Sequence, residues 1–416
     1  MEGVVEGRVT LRGAAEEVGL SYRQAKRVWR RYRVEGARGL VHASRGRPSN
    51  RGREERERSA IVGVYRERLG GFGPTLASEK LQEWGHEVDH ETLRRWLMGA
   101  GLWQRRRKRG PHRRWREPRR RFGELVQMDG SHHDWFGSGE RCCLMHMVDD
   151  ATGRSLARLE GEETTTAAMR LLWGWIERYG VPAALYVDGK TVYVTDREAT
   201  AEEQLAGEEP LTEFGKACQK LGIRIVQAHS APAKGRVERK HGVYQDRFVK
   251  ELALRGITTV EGANAVLEGG FVEALNERFG REPLERQDAH RPVPEGFDLA
   301  TVFVFEVRRT VANDWTIRHE NHWYQITGPK ELMPRPKAKV TVQRRLDGSL
   351  HILSRGHTLE YREISAAARV KPRPQERLGS QAVVVTQVPR QPAPDHPWRR
   401  PFSLRMLRAQ QPRLGQ

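Results

Sequence analysis

The sequence predicts a multidomain protein, α-helical at its start, α/β in its middle and β-rich towards its end. Three observations predict it. Apolar residues recur at three- and four-residue spacing in short stretches up to about residue 100. From 122 to 256 brief apolar runs alternate with helical stretches, and from 301 short alternating runs are punctuated by turn residues. At ~100–200 residues per domain, 416 residues make two to four domains. Charge divides the chain the same way. Of the net +19, residues 1–121 carry +16, residues 122–360 carry −5 and residues 361–416 carry +8. A basic head and tail around a mildly acidic centre suggest polyanion binding at the ends and different work in the middle. A basic, solubilising surface is the plainer reading, and the tight runs of basic residues weigh against it. No run of ~18 apolar residues exists, so no transmembrane helix is expected. MEGVVEGRVT has no basic n-region leading into an apolar one, so no signal peptide is expected. Three cysteines, two of them adjacent at Cys142 and Cys143, make neither a disulfide framework nor zinc-ligand spacing, and fit a reducing, cytoplasmic compartment.

The head comes first. In residues 10–33, TLRGAAEEVGLSYRQAKRVWRRYR, Ala14 to Val18 predicts a short helix, Gly19 a turn and Ser21 the N-cap of a second helix. On that helix Tyr22, Ala25, Val28, Trp29 and Tyr32 form the apolar face, and Arg23, Lys26, Arg27 and Arg30 lie on the basic one. This is helix-turn-helix grammar over 1–41, with the basic helix shaped for a major groove; a helical hairpin with a solvated charged face is the bland alternative. Residues 42–58 read as a Gly- and Arg-rich linker. Over 59–104, Ile61 to Leu69, Leu76 to Trp84 and His90 to Met98 predict a second helix-turn-helix, with Arg94 and Arg95 on its recognition element. Residues 105–121 hold eleven Lys/Arg in seventeen positions, among them Arg105, Arg106, Arg107, Lys108, Arg109, Arg113 and Arg114. Such a run tracks phosphates or enters a minor groove, unless it is only a solvated linker.

The middle, 122–256, reads as strands at Leu125 to Asp129, Cys142 to Val148 and Ser155 to Leu159, a helix at Thr164 to Tyr179 and a strand at Ala184 to Asp188. A polar stretch over 189–211, a helix at Leu211 to Leu221, a strand at Ile223 to Ala228 and a long charged helix at Arg236 to Leu254 follow. Three strands, helix, strand, helix, strand, helix is the order of a ribonuclease-H-like core. Asp129 and Asp188 end predicted strands, and Glu238 lies one turn into the last helix. Carboxylates at neighbouring strand ends can converge, and a helix beside them can add a third. Such a cluster needs a divalent cation, and hard oxygen ligands suit Mg²⁺ or Mn²⁺. Two ions ~3.5–4 Å apart would serve an in-line phosphoryl displacement. Taken singly, Asp188-Gly189 could be a turn and Glu238 one charge on a solvated helix. His132, His133 and Asp134 follow Asp129 closely; histidine is a poor Mg²⁺ ligand, so packing or DNA contact is favoured. Asp149 and Asp150 read as a hairpin turn, and Cys142 and Cys143 as core.

QMDGSHHDWF (127–136), LYVDGK (185–190), LTEFGKACQKLGI (211–223) and AHSAPAKGRVERKHGVYQDRFVKEL (228–252) resemble the integrase core of DDE transposases, nearest to bacterial insertion-sequence transposases of the ISNCY group. The resemblance covers about residues 10–360. It implies a retroviral-integrase-like fold and identifies Asp129, Asp188 and Glu238 as the catalytic, metal-binding triad. Fifty residues separate Asp188 from Glu238, where the best-known members of the superfamily have fewer, and 189–211 reads as a surface insertion that accounts for the excess. Lys234 and Arg236, beside Glu238, are further candidate DNA contacts; for Lys234 a solvated loop lysine is the alternative.

Residues 257–299 read as a helical connector. Five strands follow over 300–363 (TVFVFEVR, WTIRH, HWYQIT, KVTVQRR and LHILSR), with Asp347-Gly348 as a hairpin turn, and suggest a small C-terminal β-barrel. The Pro- and Arg-rich tail, 364–416, shows little periodicity. The whole reads as a DNA transposase: a nucleoid-associated bacterial enzyme that binds an element's inverted repeats, uses two Mg²⁺ or Mn²⁺ ions per site, acts as at least a dimer on DNA and has no membrane role. A transposase-derived regulator with an inactive core, or a ribonuclease-H-type nuclease, are the alternatives.

Overall fold

The structure, a computed structural model, describes residues 1–41, 45–46, 53–104, 117–207, 209–228 and 235–365. Arg105, Arg106, Arg107, Lys108, Arg109, Arg113, Arg114, Lys234 and the tail from 366 lie outside the described residues. The chain divides into two compact units, Met1–Val307 with Gln343–His351, and Arg308–Val342 with the residues from Ile352 on.

The head folds as its caps dictate. After α1 (Glu2–Val5), α2 (Leu11–Glu17) opens on Thr10, whose hydroxyl accepts from the Gly13 N–H at 3.1 Å. Helix α3 (Tyr22–Glu35) opens on Ser21, in a capping box with Gln24. Ala25 is fully buried on α3, while Arg23, Lys26, Arg27 and Arg30 are exposed. The second helical unit is α4 (Glu55–Arg68), α5 (Pro74–Glu83) and α6 (His90–Gly99), around buried Ile61, Tyr65, Leu69, Leu81, Leu93 and Leu97. Helix α4 starts at Glu55, inside the segment expected to be linker; Glu55 and Glu57 in its first turn complement the helix dipole. Asp89 caps α6, accepting from the Glu91 and Thr92 N–H groups.

The central sheet has the order β3-β2-β1-β4-β5. It is built from β1 (Val126–His133), β2 (Cys142–Asp149), β3 (Ser155–Glu160), β4 (Ala184–Val187) and β5 (Arg224–Gln227). The first three strands form an antiparallel meander, while β4 runs parallel to both β1 and β5. This is the ribonuclease-H order. Helices α7 (Thr165–Tyr179) and α9 (Glu213–Lys220) cover one face, over Met128, Met145, Leu172, Trp175, Val187 and Phe214. On the other face α10 (Gly235–Arg255), α11 (Val260–Val266) and α12 (Val272–Phe279) bury Trp135, Leu144, Leu159, Tyr244 and Phe248.

Several local expectations are corrected. Strand β1 runs on to His133, so Asp129 lies within a strand; its antiparallel ladder with β2 continues to His133 and Cys142. The segment 189–211 is not wholly a surface insertion. Tyr193 is buried against Phe214, and the short helix α8 (Ala201–Ala206) follows, with a capping box at Thr200. The helical stretch 258–280 breaks at Gly269 and Gly270, where Gly270 takes a left-handed φ of 108° and α11 gives way to α12. The expected small barrel is a curled antiparallel sheet of six strands, ordered β6-β9-β10-β11-β8-β7. Its strands are β6 (Val304–Thr310), β7 (Thr316–His319), β8 (His322–Thr327), β9 (Lys339–Arg345), β10 (Leu350–Ser354) and β11 (His357–Ile364). The unforeseen strand is β11, paired to β10 and β8; along it Leu359 alone is buried, so it shows almost no apolar alternation.

The second helical unit is docked onto α10. Glu79 on α5 accepts two bonds from the Arg247 guanidinium at 2.6 and 3.0 Å and pairs with Arg278 at 2.5 Å. Beside it Lys80 pairs with buried Glu251 at 2.8 Å. Bidentate guanidinium–carboxylate geometry in a half-buried setting makes this a directional clamp. We expect Glu79→Ala to lower unfolding stability by ~1–3 kcal/mol and to speed amide exchange in α5 while leaving β1 and β2 protected. Unchanged exchange in α5 would show that the clamp does not hold the unit.

Candidate active site

Alternation along β1 sends Met128 into the α7 side of the sheet and Gln127, Asp129 and Ser131 to the α10 side. Two bonds fix this: the Ser131 hydroxyl accepts from Gln245 Nε2 at 3.0 Å, and Gln127 Oε1 accepts from the Val237 N–H at 3.2 Å, both donors being on α10. Across the parallel ladder Val126 is opposite Leu185 and Gln127 opposite Tyr186. Asp129 stands two residues beyond the last pair on β1, and Asp188 directly follows the last residue of β4. The ladder stops short of them, so the two aspartates flank the mouth where β1 and β4 part, the usual place for a site in an open parallel sheet. Glu238 is exposed in the first turn of α10, next to the anchored Val237.

The anchor beneath α10 is a buried polar network. Gln127, fully buried, donates its Nε2 to Asp150 Oδ1 at 2.9 Å while accepting from Val237. Asp150, also fully buried, accepts from the Arg119 N–H at 2.8 Å, and its carbonyl accepts from Arg236 Nε at 3.1 Å. Asp149 accepts from the Thr152 N–H and hydroxyl and from the Gly123 N–H. Burial raises the Asp149 pKa, and those three bonds oppose the rise. Asp149 serves the turn, as the sequence suggested, while the Asp150 carboxylate ties Gln127 and the Arg119 backbone to it. Arg236, expected to contact DNA, is 18% exposed and turned towards Asp150.

A fourth carboxylate went unnoticed in the sequence. Glu163, 5% exposed, precedes the Thr164 N-cap of α7; its Oε2 takes Lys190 Nζ at 2.5 Å and its Oε1 the Tyr193 hydroxyl at 3.0 Å. The same ammonium is 3.4 Å from Asp188 Oδ2. Burial works against the charge on Lys190, but Glu163 first and then the fields of Asp188 and Asp129 hold its pKa above the ordinary lysine value. A cation already favours this mouth. Gly130 lets Glu163 approach, since a Cβ there would meet its Oε2 at 2.5 Å and Cys143 Sγ at 2.8 Å. The one visible signal was an acid directly before a helix cap, in GEETTT.

Among the described residues, the ligand atoms that converge within 4.8 Å are those of His132, Cys143 and Glu163, not those of the triad. Burial, with Glu163 next, pushes the Cys143 thiol up to about 12, so it stands protonated. Asp134 folds back onto the Ser138 and Gly139 N–H groups, and His133 packs edge-on against Trp135. On α6, Arg94 is paired with Glu91, while Arg95 is exposed.

Because Gln127 accepts from the Val237 N–H and donates to Asp150, Gln127→Leu takes the acceptor from that buried N–H and one donor from Asp150. We expect a loss of ~2 kcal/mol in urea unfolding and faster amide exchange at Val237. Exchange there at the wild-type rate would remove Gln127 from the anchoring of α10.

Residues 4–49 match the family model described as a helix-turn-helix domain. "Putative transposase y4bF" of Sinorhizobium fredii (strain NBRC 101917 / NGR234) is 36% identical over 371 residues, covering 88% of this chain and 80% of that protein. The transposase for insertion sequence IS1202 of Streptococcus pneumoniae is 27% identical over 393 residues, covering 85% and 82%. Among solved structures, the HTLV-2 integrase catalytic core in complex with magnesium matches 36% of this chain and 86% of its own, at 17% identity and a TM-score of 0.28. With identity at this level over most of both chains, the protein belongs to the transposase family.

Proposed function

We propose that this transposase binds the terminal inverted repeats of its insertion sequence, hydrolyses the strand at each end and joins the freed 3′-OH to target DNA, with Asp129, Asp188 and Glu238 as its catalytic and metal-binding residues. The observation that supports the reading is that Asp129 on β1 and Asp188 just after β4 follow the parallel β1–β4 ladder at its end, with α10 tied beside β1 by Gln127. Hard carboxylate oxygens suit Mg²⁺ or Mn²⁺, and Lys190 at 3.4 Å from Asp188 indicates that the mouth favours positive charge. Two such ions, when bound, would supply charge neutralisation for both the attacking and the leaving oxygen. In this reading the protein's own contribution is position: the ends of β1 and β4 and the docked α10 would bring three acids to one phosphodiester, and no nucleophilic side chain is needed.

End recognition falls to the two helical units in this reading, through Arg23, Lys26, Arg27 and Arg30 on α3, and through Arg95, with Arg94 once released from Glu91, on α6. The basic run 105–121 and Lys234 add phosphate contacts. Joining two ends to one target needs at least two sites, hence at least a dimer on DNA.

Asp129→Asn, Asp188→Asn and Glu238→Gln should each abolish cleavage and joining in Mg²⁺ while end binding stays near wild type, because each removes ligand charge and leaves the basic surfaces intact. Gel assays on labelled end DNA read both, and substantial strand transfer by any one variant would remove that residue from the triad. Binding without joining by the wild-type protein would indicate the regulator, and cutting without joining the simple nuclease. Separately, residues 1–121 should bind end DNA specifically and lose affinity steeply with salt, by counterion release. A 122–416 fragment that discriminated ends as well as the whole chain would overturn this division of labour.

A further inference from the structure

Helix α10 has a second functional flank. At 3.6 residues per turn, Arg236, Arg239, Lys240 and Val243 share a side that points away from Glu238. They wall a cavity of about 420 Å³, within the ~300–1,000 Å³ range of small-ligand pockets. Pro118, Val148 and Phe279 complete its apolar walls, and Arg281 adds another cation.

Lys240 is the feature that a fold alone does not explain. It is 7% exposed, and its Nζ has no hydrogen-bond partner among the described residues; the Phe279 ring lies 5.7 Å away. Among the described residues the groups facing it are Arg236, Arg239 and His241 from its own helix, His146 from β2, Arg281 and the acid Glu117. Arg281 donates to the Ala151 and Asp150 carbonyls, and Arg236 lies over Asp150, so both guanidinia are held rigidly at the cavity. A buried ammonium without an acceptor destabilises the folded chain. Its presence among arginines is accounted for if an anion arrives from outside.

The walls narrow the choice of ligand. A bare phosphate has no use for Phe279, Val148 and Val243, whereas a nucleotide has both a flat apolar ring and a phosphate. We propose that this cavity binds one nucleotide of the DNA, with its base or sugar against Phe279 and Val243 and its phosphate at Lys240 and the surrounding arginines. The proposal rests on the transposase reading only for DNA as the source of that nucleotide.

The test is calorimetric titration of the full chain with a deoxynucleoside 5′-monophosphate and, separately, with inorganic phosphate, repeated on Lys240→Met. Saturable nucleotide binding is expected, stronger than for inorganic phosphate and weakened at least tenfold by Lys240→Met, with a parallel loss of affinity for end DNA. The same variant should melt higher at pH 7. No saturable nucleotide binding, equal binding of inorganic phosphate, or nucleotide binding indifferent to Lys240→Met would each overturn the proposal. Unchanged end-DNA affinity in a variant that has lost nucleotide binding would reject DNA as the source, and a lower Tm would make Lys240 a packing residue. None of these readings requires cleavage, so a failure of the triad assignment and a failure of this pocket are separable.

Discussion

Everything about the site depends on how the first turn of α10 is fastened to the sheet. A helix N-terminus carries N–H groups with no partner in the helix itself, and burying one is costly unless something accepts it. Here Gln127 accepts from Val237 and passes the constraint on to Asp150, which also holds the Arg119 backbone and lies under Arg236. Gln127 is two residues from Asp129 on the same strand face, and Val237 is adjacent to Glu238. One buried amide therefore ties together the strand and the helix that present two of the three acids. Networks of this kind fix geometry because partial satisfaction is worse than none.

Much of this was legible in the sequence, for physical reasons that differ by region. The order of strands and helices in 122–256 could be read because buried parallel strands such as ALYV are continuous apolar runs, and because α7 keeps a clean apolar stripe through Leu171, Leu172 and Trp175. Ser21 and Asp89 announced their helices by capping chemistry. The failures share a cause: structure specified by distant partners rather than by local pattern. Strand β11 is held by pairing to β8 and β10, not by alternation. Tyr193 looks like part of a polar loop until Phe214 and Glu163 close over it. Glu163 is 27 residues from Lys190 in sequence, and nothing in GEETTT marks it as part of the same mouth.

The length of α10 gives a further consequence. Arg247 and Glu251, which receive Glu79 and Lys80, lie nine and thirteen residues after Glu238. At 1.5 Å rise per residue that is ~14–20 Å along one helix. The Glu79 clamp is bidentate and half-buried, so the second helical unit is set at a fixed distance from the first turn of α10. If that unit grips DNA, the phosphodiester reaching the mouth is chosen by helix length, not by a flexible tether.

The acids around the mouth divide by what they accept. Asp149 and Asp150 are fully buried, and backbone N–H groups and the Gln127 amide occupy their oxygens, with the rigidly held Arg236 guanidinium 3.4 Å from Asp150 Oδ1. Asp188 and Glu163 are instead shared by a side-chain cation, Lys190, which long-chain flexibility allows to move. Dipoles fixed in the backbone cannot be exchanged for a metal ion without unfolding the turn, whereas an ammonium on a four-carbon stem can be displaced. The distinction between structural and exchangeable carboxylates is thus set by the partner and not by the acid. Two adjacent aspartates at a strand end are thus more deeply buried than Asp129, Asp188 and Glu238 while their oxygens stay committed to the fold.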